Sequence, residues 1–298
     1  MARKDDDRST PPPPPAPLAV AVADSHTHLD MQSGSPAEGL AKAAAVGVAA
    51  VVQVGCDVAG SRWAAELAAE FEQVHAAVAL HPNEAPRIFL GTPLPGEEGD
   101  GWSGQQRPAG GAAALDAALA EIDALAALPQ VRAVGETGLD YFRTGPEGVD
   151  IQQESFRRHI EIAKRHGKAL VIHDRDAHED VIRVLLEEGA PERTVFHCYS
   201  GDAAMARTCA EHGWYLSFAG PVTFKANQPL RDALLATPLE RVLVETDAPF
   251  LTPHPYRGRP NAPYLIPVTV RSMADTLGLH EDELSTAIAA NTARAFGY

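Results

Sequence analysis

His26-Thr27-His28, directly after a short apolar run, sets two imidazoles two residues apart. Side chains alternate along a strand, so residues i and i+2 share a face and their ring nitrogens can chelate one metal ion. Helical spacing would do this poorly. The same arrangement, an apolar run ending in a metal-capable side chain, recurs at Glu136, His173, His197 and Asp247. Imidazole nitrogens and carboxylate oxygens together suit Zn, Mn or Mg. A carboxylate can bridge two cations, and Glu136 is the natural candidate. Two cations about 3.5–4 Å apart stabilise the attacking and leaving oxygens of a hydrolysis alike. Singly, each residue has a plain structural use. Glu136 could cap a helix, and Asp247 could bind backbone amides before Pro249. Such uses would have to hold separately at five strand ends to remove the site. His81, in Leu80-His81-Pro82, belongs at the same mouth, either as a ligand or behind the ligands.

Strands must position these groups. Eight short apolar runs qualify: 18–24, 48–54, 75–80, 131–135, 169–173, 194–197, 214–218 and 242–245. Most lack alternation, as expected of strands buried on both faces. Stretches 61–72, 113–128, 151–166, 176–188 and 203–212 carry apolar residues at helical spacing. Strands alternating with helices imply βαβ units and a parallel sheet. Eight such units imply a closed (β/α)8 barrel of the TIM type, with its active site at the C-terminal strand ends.

The remaining features bound the function. With 298 residues, the chain is expected to divide into a proline-rich tail, 1–17, and the barrel, 18–298. The tail holds five consecutive prolines, Pro11–Pro15, and is expected to be disordered or polyproline II and dispensable for the fold. Residues 91–111 read as a long surface loop, expected to be mobile. No apolar run is long enough to span a membrane, and residues 17–23 make no convincing signal peptide. Three scattered cysteines argue for a reducing, cytoplasmic setting. Cys198, next to His197, is expected to face the core. A net charge of −15 counts against broad adhesion to nucleic acid, although acidic groups that hold cations are part of that sum.

At the strand ends the sequence resembles the TatD family of metal-dependent deoxyribonucleases. The resemblance rests on Asp24–Asp30 (DSHTHLD), Gly135–Tyr141 (GETGLDY), Ile172–Ala177 (IHDRDA), Phe196–Gly201 (FHCYSG) and Glu245–Pro249 (ETDAP). Arg257–Pro263 (RGRPNAP) and Asn291–Arg294 (NTAR) extend it. It implies a barrel of the amidohydrolase type holding two divalent ions (Mg, Mn or Zn). In that pattern His26, His28 and Asp247 hold one ion, His173 and His197 the other, and Glu136 bridges both. The expected reaction is hydrolysis of DNA phosphodiesters by a metal-activated water, with Asp247 taking the proton. Strand ends or single strands are the expected partner, so exonuclease action is favoured, with no membrane and no obligate protein partner. Arg175 and Arg257, with Asn261 and His81, are candidate substrate contacts, because guanidinium matches phosphate. Arg259 is either a phosphate contact or a surface ion pair. The rival reading is a metal-dependent hydrolase of a small ester, amide or acyl-nucleic-acid bond, since fold does not fix function.

Overall fold

A computed structural model describes residues 9–91 and 110–298. The apolar runs form eight strands: β1 (Val22–Thr27), β2 (Val48–Gly55), β3 (Val74–Val78), β4 (Val131–Asp140), β5 (Ala169–Arg175), β6 (Thr194–Phe196), β7 (Tyr215–Phe218) and β8 (Val242–Val244). All neighbours pair in parallel, in the order β1 to β8. The ring closes where the end of β1 meets the segment after β8. His28 N donates to Ala248 O at 2.8 Å, and Asp247 N donates to His26 O at 2.9 Å. This is the (β/α)8 barrel that the alternation implies.

The helices among the described residues are α1 (Pro36–Ala44), α2 (Val58–Glu70), α3 (Glu84–Leu90), α4 (Gly111–Ala126), α5 (Pro146–His166), α6 (His178–Glu188), α7 (Ala203–Glu211), α8 (Gln228–Ala236), α9 (Ile266–Leu277) and α10 (Glu281–Phe296). Five of them, α1, α3, α8, α9 and α10, go beyond the sequence expectation. The signal for α1 was present: Ser35 Oγ accepts from Glu38 N, Glu38 answers the Ser35 amide, and Pro36 fills the first helical position. Two cores result. Small and β-branched residues such as Val52, Val54, Ala77, Ala133, Val171 and Val195 fill the barrel, and Phe296 of α10 joins them. The larger apolar set lies between barrel and helices.

The expected strand boundaries shift where polar side chains enter the barrel. β1 starts at Val22 and carries His26, and β4 runs on to Asp140 although its apolar run ends at Gly135. Glu136, Thr137 and Asp140 are buried, so an apolar run underestimates a strand that ends in a polar interior.

The expected disorder of residues 1–8 and the mobility of the loop 92–109 lie outside the described residues. Of the tail expected to be disordered or polyproline II, residues 9–17 are described and lie against the barrel. Arg259 donates to Thr10 O (2.8 Å) and Pro11 O (2.9 Å), and Tyr264 Oη donates to Pro12 O (2.7 Å). Arg271 donates to Ala16 O at 2.8 Å, and Pro12 is buried. Proline lacks an amide donor but keeps its carbonyl, so a proline run can dock through acceptors alone. Arg259 is therefore a clamp on this segment.

Candidate metal centre

β4 carries the centre of the site. Glu136 leans against β5 because β4 approaches it closely. A Cβ on Gly138, whose φ is +136°, would stand 2.1 Å from His173 O, and one on Gly135 would stand 2.5 Å from Val171 Cβ. Only glycine permits that approach. The two Glu136 oxygens then face two different sets of donors. Oε2 lies 3.4 Å from His26 Nε2 and 4.0 Å from His28 Nε2, and those two nitrogens lie 3.2 Å apart. Asp247 Oδ1 completes this set, 3.8 Å from His26 Nε2 and 3.5 Å from His28 Nε2. Oε1 lies 2.6 Å from His173 Nδ1, 2.8 Å from His197 Nε2 and 3.5 Å from His81 Nε2.

Groups behind the donors fix their tautomers. His28 Nδ1 faces Val54 O at 3.2 Å, which leaves Nε2 as its inward lone pair. His197 Nδ1 faces Glu245 Oε1 at 3.2 Å, and His173 Nε2 faces Asp140 Oδ2 at 3.2 Å. Asp140 is itself held by Asn83 Nδ2 and by the Phe142 and Arg143 amides. Beneath β1, the buried Asp24 accepts from Thr246 N at 2.9 Å and His26 N at 3.2 Å, tying the first strand to the last. Asp247 (φ +53°) and Cys198 (φ +41°) lie in the left-handed region, which disfavours residues with a Cβ. Their amides are pinned, by His26 O and by Glu245 Oε1 at 2.7 Å.

These groups perturb one another strongly. Burial works to raise the Glu136 carboxyl, but His197 and His81 outweigh it and hold it well below the usual carboxylate range. Burial works to lower His197, and Glu136 and Glu245 lift it well above its ordinary value. Burial works to lower His28, and Cys56 and Asp247 reverse that. His173 rises against burial to about 9 through Asp140 and Glu136, and Asp140 falls against burial to about 2 through His173. Burial, then the neighbouring His197, pushes His26 down.

The residues fit divalent cations. Nitrogens of four imidazoles and oxygens of two carboxylates converge, and His26 Nδ1 and Glu245 Oε2 are buried without a hydrogen-bond partner. Acceptors face one another at 2.6–4.0 Å either by sharing protons or by coordinating a cation. Clusters His26–His28–Glu136, His81–Glu136–His173 and His26–His197–Glu245 each bring three donor atoms together.

All six expected ligands thus meet at one mouth, with His81 beside them. The mouth opens into a cavity of about 770 Å³. Arg175 lines it, its guanidinium 3.8 Å above the Phe142 ring. Arg257 does not line it and lies 5.1 Å from the Phe224 ring. Asn261, expected at the substrate, is buried, and its amide donates to Thr246 O (2.9 Å) and Phe250 O (2.5 Å), bracing the segment that carries Asp247. Cys198 lines the mouth, because its turned backbone breaks the strand alternation assumed for it. Sequence reasoning gave no role to Asp140, Arg143, Glu245 and Cys56. Asp140 was findable, since 136, 138 and 140 share one face of β4. Arg143 and Cys56 line the cavity from loops, where no period applies.

A barrel with this buried histidine–carboxylate cluster at its C-terminal mouth is a metal-dependent hydrolase. The profile described as TatD related DNase matches residues 23–297, and the chain belongs to that family. It is 44% identical over 260 residues to the metal-dependent hydrolase TatD of Mycobacterium tuberculosis, covering 86% of this chain and 89% of that one. It is 35% identical to the metal-dependent hydrolase YabD of Bacillus subtilis, covering 87% and 91%. In fold it resembles the TatD homologue YJJV of Escherichia coli, with TM-score 0.79 at 24% identity, covering 93% of this chain and 98% of that one. No helix among the described residues is long and apolar enough to cross a membrane.

Proposed function

We propose that the protein is a DNA exonuclease that uses two divalent ions (Mg, Mn or Zn) to hydrolyse phosphodiesters at single-stranded ends. The observation that carries this reading is the double-faced Glu136, with a separate donor set at each oxygen, beneath a mouth rimmed by Arg143 and Arg175. His26, His28 and Asp247 would hold one ion, His173 and His197 the second, and Glu136 both. When bound, such ions neutralise phosphoryl oxygens and bring the pKa of water towards neutrality. The chain's own residues do the rest. Asp247 is partly exposed at the mouth and kept ionised against burial by His28 and His26, so it can accept a proton from water. Arg175 and Arg143 stand where a phosphate would enter, and guanidinium grips phosphate in two places at once. The barrel closes the cavity from below, which favours a chain end over a long duplex.

The test is turnover of single-stranded DNA, duplex DNA, RNA and neutral esters by purified protein. Assays would run with chelator and then with Mg²⁺, Mn²⁺ or Zn²⁺ restored. Metal-dependent release of nucleotides from ends is expected. Robust ester turnover with no action on DNA would transfer the assignment to the small-molecule hydrolase.

A further inference from the structure

Large apolar side chains stand exposed at the rim of a mouth built from carboxylates and imidazoles. Six large apolar side chains are exposed among the described residues: Met31, Phe142, Leu186, Leu235, Phe250 and Tyr298. Leu186 and Leu235 lie on α6 and α8, away from the mouth. Met31 and Phe250 line the mouth cavity, and Phe142 lies under Arg175, which also lines it. Each follows a mouth residue in sequence. Met31 comes after His28, Phe142 after Asp140 and Phe250 after Asp247.

Both phenylalanines are held in place. Phe250 N donates to Asp247 O at 2.9 Å, and Asn261 grips the Phe250 carbonyl. Its ring meets the His28 imidazole edge-on, with centroids 6.3 Å apart. Phe142 N donates to Asp140 Oδ1 at 3.1 Å, and the Arg175 guanidinium sits 3.8 Å from its ring centroid as a cation–π pair. Phe142 follows β4 and Phe250 follows β8, half the ring apart in an eight-stranded order. The metal-ligand cluster therefore lies between Phe250 on one side of the mouth and the Phe142–Arg175 pair on the other.

We propose that Phe250 on one side and the Phe142–Arg175 pair on the other are stacking faces for the nucleobases flanking the scissile phosphate. The inference rests on the nuclease reading and adds what that reading leaves open, the recognition of unpaired bases. Every base has a π-face, so two such platforms grip a strand without reading its sequence. A duplex hides those faces within its stack, so a single strand or a frayed end is selected. Phe142 at 60% exposure and Phe250 at 46% leave apolar area in water that a stacked base would cover. A small phosphoester would leave at least one platform unused.

The experiment compares wild type, Phe250→Ala, Phe142→Ala and Phe250→Trp on three oligonucleotides. They are a single strand, the same strand with abasic residues at its end positions, and a blunt duplex. Metal content and melting temperature, measured alongside, report whether each variant is intact. Each alanine variant is expected to raise KM on the normal strand about tenfold, the usual size of one lost stack. On the abasic strand, which offers neither platform a base, wild type should suffer a larger rise than either alanine variant suffers on the normal strand, and wild type and both alanine variants should converge there. Phe250→Trp should retain wild-type KM. Binding of a non-hydrolysable phosphorothioate strand, read by fluorescence anisotropy, should weaken in the same proportion. Equal KM for normal and abasic strands in wild type overturns the stacking faces and leaves the nuclease standing. Turnover of esters with no cleavage of any strand overturns both.

Discussion

The two ends of one barrel differ in the sign of what they lack. At the mouth, acceptors face acceptors: Glu136, Asp247 and four imidazoles converge, and a cation from outside would complete them. At the floor the chain supplies its own cations. Lys168 Nζ donates to Leu128 O (3.1 Å) and Val131 O (2.6 Å), and Arg132 donates to Gly297 O at 3.2 Å. Arg193 donates to Gly167 O, and Arg241 lies over the Tyr215 ring. These basic residues stand at or beside the first positions of β4, β5, β6 and β8. The reason is topological. Helices run antiparallel to the strands they cover, so their carbonyl ends and negative dipole ends gather at the floor. A net charge of −15 therefore describes neither end. It also explains why the floor reads as stability and the mouth as chemistry.

Substitution should separate the two ends cleanly. The largest effect is expected from Glu136→Ala, which strips a shared ligand from both donor sets. Turnover should fall at least about a hundredfold, as when a main electrostatic stabiliser is lost, and metal content should fall with it. A variant that retains its metal and near-normal kcat would make Glu136 a structural residue and dissolve the contrast.

The next effect is on stability and depends on pH. His159 is buried on α5, with Nδ1 on Ser155 O at 2.7 Å and Nε2 accepting from Leu80 N at 3.0 Å. Burial lowers it to about 4. Its folded pKa is depressed, so the unfolded chain binds the proton first as pH falls. The neutral form's contribution is full above about 6.5 and is lost as pH falls towards 4, a span worth about 3 kcal/mol. Thermal melts of His159→Gln and wild type should therefore converge between pH 7 and 4.5. A gap independent of pH would show that His159 contributes by packing alone.

Removing residues 1–17 should come third. Tyr264 and Arg271 would lose carbonyl partners, and hydrogen bonds of about 1 kcal/mol each imply a fall of several degrees in Tm. An unchanged Tm would mean that the docked segment contributes nothing and that the barrel is complete from residue 18. The smallest effect belongs to the floor. Lys168→Met removes the hydrogen bonds to the Leu128 and Val131 carbonyls at a cost of about 1–2 kcal/mol. Tm should drop a few degrees while kcat and metal content hold. Loss of activity without loss of stability there would erase the division between the ends.

Much of the site was legible because its signal is local. His26 and His28 share a face by strand alternation, and each remaining ligand ends or follows an apolar run. Strand lengths were less legible. β4 continues through Glu136, Thr137 and Asp140, polar residues that belong in a strand only because the mouth they enter is polar. Five helices escaped because their apolar faces are short or, as in α9 and α10, packed on several sides. Asn261 illustrates a further limit. A motif can mark a residue as important without saying whether it touches substrate or, as here, two backbone carbonyls.

The sequence by itself determined the eight-fold alternation, the ligand types and their common end of the barrel, because periodicity and strand direction are encoded residue by residue. Tertiary structure alone decided which donors face which oxygen of Glu136, that Cys198 turns into the mouth, and that Arg259 holds the proline segment. Those outcomes depend on closure of β1 against the segment after β8, on the close approach of β4 to β5 at Gly135 and Gly138, and on backbone carbonyls that no side-chain pattern displays. Contacts between groups far apart in the chain are set by the sum of the packing, and no local period carries that sum.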